Sequence, residues 1–215
     1  MSLSGKTLVC FAMGSERRPF RPRPVAPPDE IRVMVSGVGP RNARRGIEQA
    51  LAAGTPDRVL TCGFAGGLDP AFGLGDVLFE TSDRELSGAF LAAGARPAQF
   101  HCSDRIATTV VEKRSLFEAT GAGAVEMESA VIHEVCVGRG IPCATLRSIS
   151  DTALDSMPLD FNTLAAPDQS LSPAKLAWAI LRNPGAIPGL MRLGSRSSLA
   201  ARRLAATLEA LLIRR

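Results

Sequence analysis

Short apolar runs alternate along the chain with segments of helical spacing. Lys6 to Ala12, Ile31 to Ser36, Arg58 to Cys62 and Val77 to Glu80 read as strands. The glycine turn from Ser36 to Ala43 opens a helix that reaches about Ala53, and Arg105 to Gly121 reads as a further helix. Ala124 to Met127 is a short apolar strand end. Ser129 to Val137 then places Val131, Ile132, Val135 and Cys136 on one helical face. Gly138 and Gly140 stop that helix, and Pro142 opens a last apolar run, Cys143 to Ile149. This order predicts an α/β fold closing on a strand-helix-strand unit. Strands in such a unit usually run parallel, so their carboxyl ends share one edge of the sheet. Glu126 and Glu128 lie at one end and Asp151 at the other, and the unit is expected to bring them to one crevice.

Composition bounds this picture. A chain of 215 residues with 46% hydrophobic residues can bury one substantial core. Leu8 to Met13 is too short, and too soon followed by Glu16, Arg17 and Arg18, to be a secretory leader. No uncharged apolar run approaches the length that spans a bilayer. Cys10, Cys62, Cys102, Cys136 and Cys143 are odd in number and lack metal-ligand spacing, so reduced thiols in a cytoplasmic protein are expected and no metal site. Five prolines between Pro19 and Asp29 exclude a central strand and predict a stiff surface loop. His101 and His133 have no partner by spacing and read as structural.

Charge changes the reading at the C-terminus. Lys175 to Arg215 carries eight basic residues against one acid, Glu209, while the whole chain is only +4. Leucines, Trp178 and Met191 are interleaved with these charges, as in basic amphipathic helices that lie on anionic bilayers; the alternative is a helix pair packed on the sheet with solvated arginines. Interleaved aliphatics without an aromatic platform argue against nucleic acid. The expected division is residues 1–165 as a catalytic unit and 166–215 as a basic helical extension.

Individual candidate residues also have plain structural readings. Glu128 suits the start of a helix, Asp151 a cap, Gly14 and Ser15 a turn, and Arg41 a solvated first helical turn. Taken together the motifs say more. Val125-Glu126-Met127-Glu128-Ser129-Ala130, then Arg147-Ser148-Ile149-Ser150-Asp151, and Gly63-Phe64-Ala65-Gly66-Gly67-Leu68 with Gly75-Asp76 resemble the nucleoside phosphorylase and nucleosidase superfamily. Within it, the motif forms and the tail with Arg182-Asn183-Pro184 and Pro188 to Leu193 look most like the hopanoid-associated phosphorylases.

That resemblance implies a three-layer sandwich around a mixed, mainly parallel sheet, with a shortened middle between Thr81 and His101. It implies cleavage of the N-glycosidic bond of an adenosine derivative: phosphorolysis of a lipid-linked adenosine (adenosylhopane), or hydrolysis of the methylthioadenosine type, or binding without catalysis. Asp151 is then the acid at the base, with Val125, Ser150 and Arg147 on the base side. Glu128, Met127 and Glu126 meet the ribose. Gly14, Gly39, Arg41, Gly63, Phe64, Ala65 and Gly66 face phosphate or water, and Glu16 is the base if water attacks. Phe64 departs from the Ser or Thr common in relatives, so an anion there would need backbone amides or Thr61. Arg147 either points at the site or braces Asp151. Asp104 either caps the following helix or touches ligand. No cofactor is implied beyond inorganic phosphate as co-substrate. The implied state is a cytoplasmic homodimer with peripheral membrane contact through the basic tail.

Overall fold

The computed structural model describes residues 3, 5–22, 29–164, 166 and 172–212. Three strands make its centre: β1 (Lys6–Phe11), β3 (Arg58–Gly67) and β8 (Cys143–Asp151). Apart from their first residues they are almost wholly buried, as expected of strands covered on both faces. β2 (Glu30–Val35) pairs parallel with β1 on one side. On the other, β4 (Val77–Glu80) runs antiparallel to β8 and carries the two-residue β5 (Arg96–Pro97), giving the order β2-β1-β3-β8-β4-β5.

Helices cover both faces. On one, α2 (Pro40–Ala52) and α5 (Ser129–Val137) bury Ala43, Ile47, Leu51, Val131, Ile132, Val135 and Cys136 against Leu8, Cys10 and Val59. On the other, the C-terminal half of α8 (Ile187–Leu212) sets Leu204, Leu208 and Leu211 against Val9, Leu60 and Leu146. The chain therefore has the expected sandwich of helix, mixed sheet and helix. The C-terminal arginines Arg214 and Arg215 lie outside the described residues.

Four sequence expectations need correction. First, β7 (Ala124–Glu126) is not parallel to β8: it pairs antiparallel with the far end of β3, Val125 opposite Gly66 and Ala124 opposite Gly67. The reason is the length of β3, which does not stop at Cys62 but runs on through its glycine motif to Gly67, 10 residues in all. Its end bends away after a register shift between Ala65 and Gly66, and that end supplies β7 with an edge. β6 (Phe100–Cys102) then pairs parallel with β7.

Second, the shortened middle between Thr81 and His101 holds a helix of its own. Asp83 accepts from the amides of Glu85 and Leu86 and starts α3 (Arg84–Ala92), which buries Leu86, Ala89 and Phe90. Third, α4 (Val110–Thr120) begins later than expected: Thr109 and Glu112 form a capping box, and Asp104 is exposed and caps nothing. Fourth, Phe20, within the proline-rich segment, is fully buried and packs on Phe11. Pro24, Pro27 and Pro28 lie outside the described residues.

Candidate active site

The short helix α1 (Gly14–Arg17) follows β1 and is too short to matter as a helix; its role is to turn Glu16 inward. Glu16 is 3% exposed and accepts from the amides of Ala12 at 3.0 Å and Met13 at 2.7 Å through Oε2, and from Phe64 at 2.9 Å through Oε1. Burial still outweighs these bonds and the nearby Arg147 guanidinium, and the carboxyl is pushed up to about 7.

Arg147 lies opposite Gly63 in the β3–β8 ladder and is the largest fully buried side chain. Its Nη2 donates to Glu126 Oε2 and, at 3.2 Å, to Thr61 Oγ1, and stands 3.6 Å from Glu128 Oε2. Gly63 is required here because a Cβ would run into Arg147 Nη1 and approach Glu16 Oε1 to 2.7 Å. One guanidinium thus pairs with two carboxylates and lies in the field of a third, Glu16. Burial alone would weaken its charge, but those acids raise the guanidinium above its ordinary value.

The three acids are not equivalent. Burial pushes Glu126 up, yet Arg147, the Ser129 hydroxyl and the amides of Glu128 and Ser129 together hold it below the usual carboxylate range. Glu128 is raised, by burial first, because Arg147 is farther away and Glu126 repels it. Although Glu128 occupies the N-cap position of α5, its side chain caps nothing there. It accepts instead from the amide of Gly39 at 2.9 Å. Gly39 reaches that position with φ of +86°, a conformation that favours glycine.

A second cluster lies three residues along β3, about 10 Å by strand rise. The register shift leaves Ser150 unpaired opposite β3 and brings Asp151 beside Gly66. A Cβ at Gly66 would meet Asp151 Oδ2 at 3.1 Å and Val125 Cγ1 at 3.3 Å, so these two side chains converge over that glycine. Ser150 Oγ donates to Asp151 Oδ1 at 2.8 Å. Lys113, from α4, donates to Asp151 Oδ2 and to the carbonyl of Thr152 at 2.7 Å, and its side chain is wholly buried.

Arg147 therefore does not brace Asp151; of the two expectations for it, its guanidinium points into the cluster of acids, bonding Glu126 and standing beside Glu128. Lys113 does the bracing, and sequence reasoning missed it. A signal was present: Val110, Lys113, Leu116 and Phe117 share one helical face, and a lysine on an apolar stripe is anomalous.

The remaining candidates divide. Met127 is half-buried between the two glutamates, and Val125 and Ala65 are buried beside the second cluster. Phe64 is half-buried, and its amide is occupied by Glu16. Gly14 and Arg41 are exposed at the first turns of α1 and α2. His133 shares a hydrogen bond with Thr145 Oγ1 at 3.0 Å, and burial lowers its affinity for a proton.

Chemically, the arrangement offers a carboxylate able to take a proton near neutrality, a pair of acids able to accept hydroxyl hydrogens, and a separate buried acid with a proton-bearing partner. Residues 96–182 match the phosphorylase superfamily. A 5′-methylthioadenosine/S-adenosylhomocysteine nucleosidase of Glaesserella parasuis is 27% identical over 72% of this chain and 81% of its own. The futalosine hydrolase of Helicobacter pylori superposes with a TM-score of 0.70 at 19% identity, covering 95% of this chain and 96% of that one. An H. pylori MTAN mutant with 5′-methylthioadenosine in its active site gives 0.71 at 19% identity, with 96% and 97% covered. The chain is thus similar to the phosphorylase superfamily over residues 96–182 and shares the fold of these nucleosidases along nearly its whole length.

Proposed function

We propose that this protein hydrolyses the N-glycosidic bond of an adenine nucleoside. The observation that carries the reading is the occupancy of the amides that would cradle phosphate. The Phe64 amide donates to Glu16 and the Gly39 amide to Glu128, while Thr61 is engaged by Arg147. Three carboxylates against one guanidinium oppose a phosphate dianion and tolerate neutral water. The 27% identical nucleosidase supports the same choice.

In this mechanism Glu128 accepts from the ribose hydroxyls through the lone pairs that Gly39 leaves, and Met127 packs on the sugar. Glu16 takes a proton from water as its oxygen bonds to the anomeric carbon. The electrons of the breaking C–N bond pass to the base, which is protonated at N7 from the side of Asp151. Glu16 suits its part because a general base works best when its pKa lies near the operating pH.

The test is adenine release from 5′-methylthioadenosine with and without phosphate. Equal rates and a free sugar product support hydrolysis; release only with phosphate, yielding a sugar 1-phosphate, overturns it.

A second reading, phosphorolysis of a lipid-linked adenosine such as adenosylhopane at the inner face of a membrane, draws on one observation. Helix α7 (Pro173–Arg182) buries no residue, and Trp178, Leu181 and Met191 are 57%, 73% and 72% exposed near Lys175, Arg182 and Arg192. Arg182 stacks over the Trp178 ring at 4.8 Å. Such a surface suits anionic lipid. Among the described residues no helix is long and apolar enough to cross a membrane. Cosedimentation with anionic but not neutral vesicles, lost in Trp178→Ala/Leu181→Ala, supports contact; no cosedimentation removes this reading. A homodimer whose partner closes the pocket fits either reading, and light scattering tests it.

A further inference from the structure

The Lys113–Asp151 pair joins two elements that the motifs do not connect. Among the described residues Lys113 Nζ is the only cation paired with the acid, and it sits on the face of α4 that carries Val110, Leu116 and Phe117. The surroundings hold little else that titrates. On β8 the neighbours are the Ser150 hydroxyl and the Thr152 carbonyl. β3 presents Gly66 and β7 presents Val125, neither ionisable. The next carboxylate, Asp155, accepts from the amide and hydroxyl of Thr152 at 2.9 and 2.7 Å, and is itself tied to Arg196 of α8 at 2.6 Å. A buried ammonium held between a carboxylate and a carbonyl is an expensive way to position one side chain, since desolvating both ions opposes their attraction.

We propose that Lys113 is the proton reservoir of the acid, so that Lys113 and Asp151 act on the leaving base as one group. This rests on the reading of Asp151 as the residue that protonates the base. As the C–N bond breaks and its electrons move to the base, the Asp151 oxygen facing the base passes a proton to N7, and a proton of Lys113 Nζ moves to Asp151. The products are a neutral base protonated at N7, a carboxylate at Asp151 and a neutral amine at Lys113. Water has meanwhile given its oxygen to the anomeric carbon and one proton to Glu16. After release, Glu16 returns its proton to solvent and Lys113 takes one back. Lys113 is a positioning and supplying residue; it need not touch substrate.

With Lys113 in place a proton given up by Asp151 is resupplied from Nζ, whereas without it the acid has only its own to give. The experiment compares the pH dependence of kcat for adenine release in wild type, Lys113→Gln and Lys113→Arg. Glutamine can still donate to Asp151 but holds no spare proton, and arginine keeps the charge if glutamine prevents folding. The expected result is a plateau for wild type into the alkaline range. For Lys113→Gln, kcat falls tenfold per pH unit on the alkaline side, with KM little changed. Lys113→Arg, a much weaker acid, also loses at least tenfold at every pH while remaining folded. Unchanged profiles in the variants, or equal uniform loss in both, overturn the inference. Asp151→Asn separates the two layers: if it leaves turnover intact, the reading of Asp151 fails first; if it abolishes turnover while Lys113→Gln keeps the wild-type profile, only the role of Lys113 fails.

Discussion

The amide of Gly39 donates to Glu128 Oε1 at 2.9 Å, joining the turn after β2 to the start of α5 across 89 residues of sequence. The bond explains why Glu128, in an N-cap position, leaves its own helix uncapped. A carboxylate aimed by a remote amide and lying 3.6 Å from Arg147 is held for something other than helix stability. For Glu128→Gln, which keeps the shape and loses the charge, kcat/KM for an adenine nucleoside is expected to fall by about 10- to 100-fold, the worth of a charged hydrogen bond. Thermal unfolding should shift little.

Glu16 gives a pH signature. As a base it acts when ionised, so kcat should rise with pH to a plateau above about 7. Glu16→Gln should remove that rise along with at least 100-fold of the rate, seen in a pH-rate profile. Stability moves the other way. A carboxyl raised from 4.5 to about 7 in the fold favours folding fully below 4.5, and the contribution is lost as pH rises through 7. That loss is on the order of 3 kcal/mol. Urea unfolding of wild type should therefore weaken between pH 5 and 8 by roughly that amount, and Glu16→Gln should flatten the trend.

Arg147 is the hub of the first cluster. Arg147→Met leaves Glu126 and Glu128 buried together without a counter-charge, and breaking such a pair costs about 3–5 kcal/mol. Chemical denaturation at pH 7 should show that loss, partly recovered at pH 5 as the acids take up protons.

Much of this was legible before any coordinates, because the fold follows from alternating apolar runs and the site from acids placed at strand ends. Glu126 ends β7, Glu128 follows it and Asp151 ends β8, though in two clusters rather than one. The route by which they gather was not legible. β7 pairs antiparallel with β3 because β3 runs on through its glycines and bends at a register shift, and neither event has a periodicity. Which cation serves which acid was equally hidden: Arg147 is four residues from Asp151 in sequence yet serves Glu126, while Lys113, 38 residues away, serves Asp151. Proximity in sequence misleads where a bulge redirects a side chain. The buried lysine on the apolar face of α4 was the available clue.

Gly63 makes the close approach of Arg147 and Glu16 possible. Gly63→Ala places a methyl group against both, which overpacking penalises by about 1–3 kcal/mol. Because Glu16 is the group displaced, activity should fall by more than tenfold even where the protein remains folded. Near-ultraviolet circular dichroism alongside the adenine assay distinguishes the two effects.

The most direct measurement is a crystal structure of Asp151→Asn soaked with 5′-methylthioadenosine. The account predicts one nucleoside lying along β3 from Gly66 to Gly63, its N7 within hydrogen-bond distance of residue 151, its ribose hydroxyls on Glu128 and a water between Glu16 and the anomeric carbon. A nucleoside with its base at Glu128, or one that touches only one of the two clusters, contradicts it.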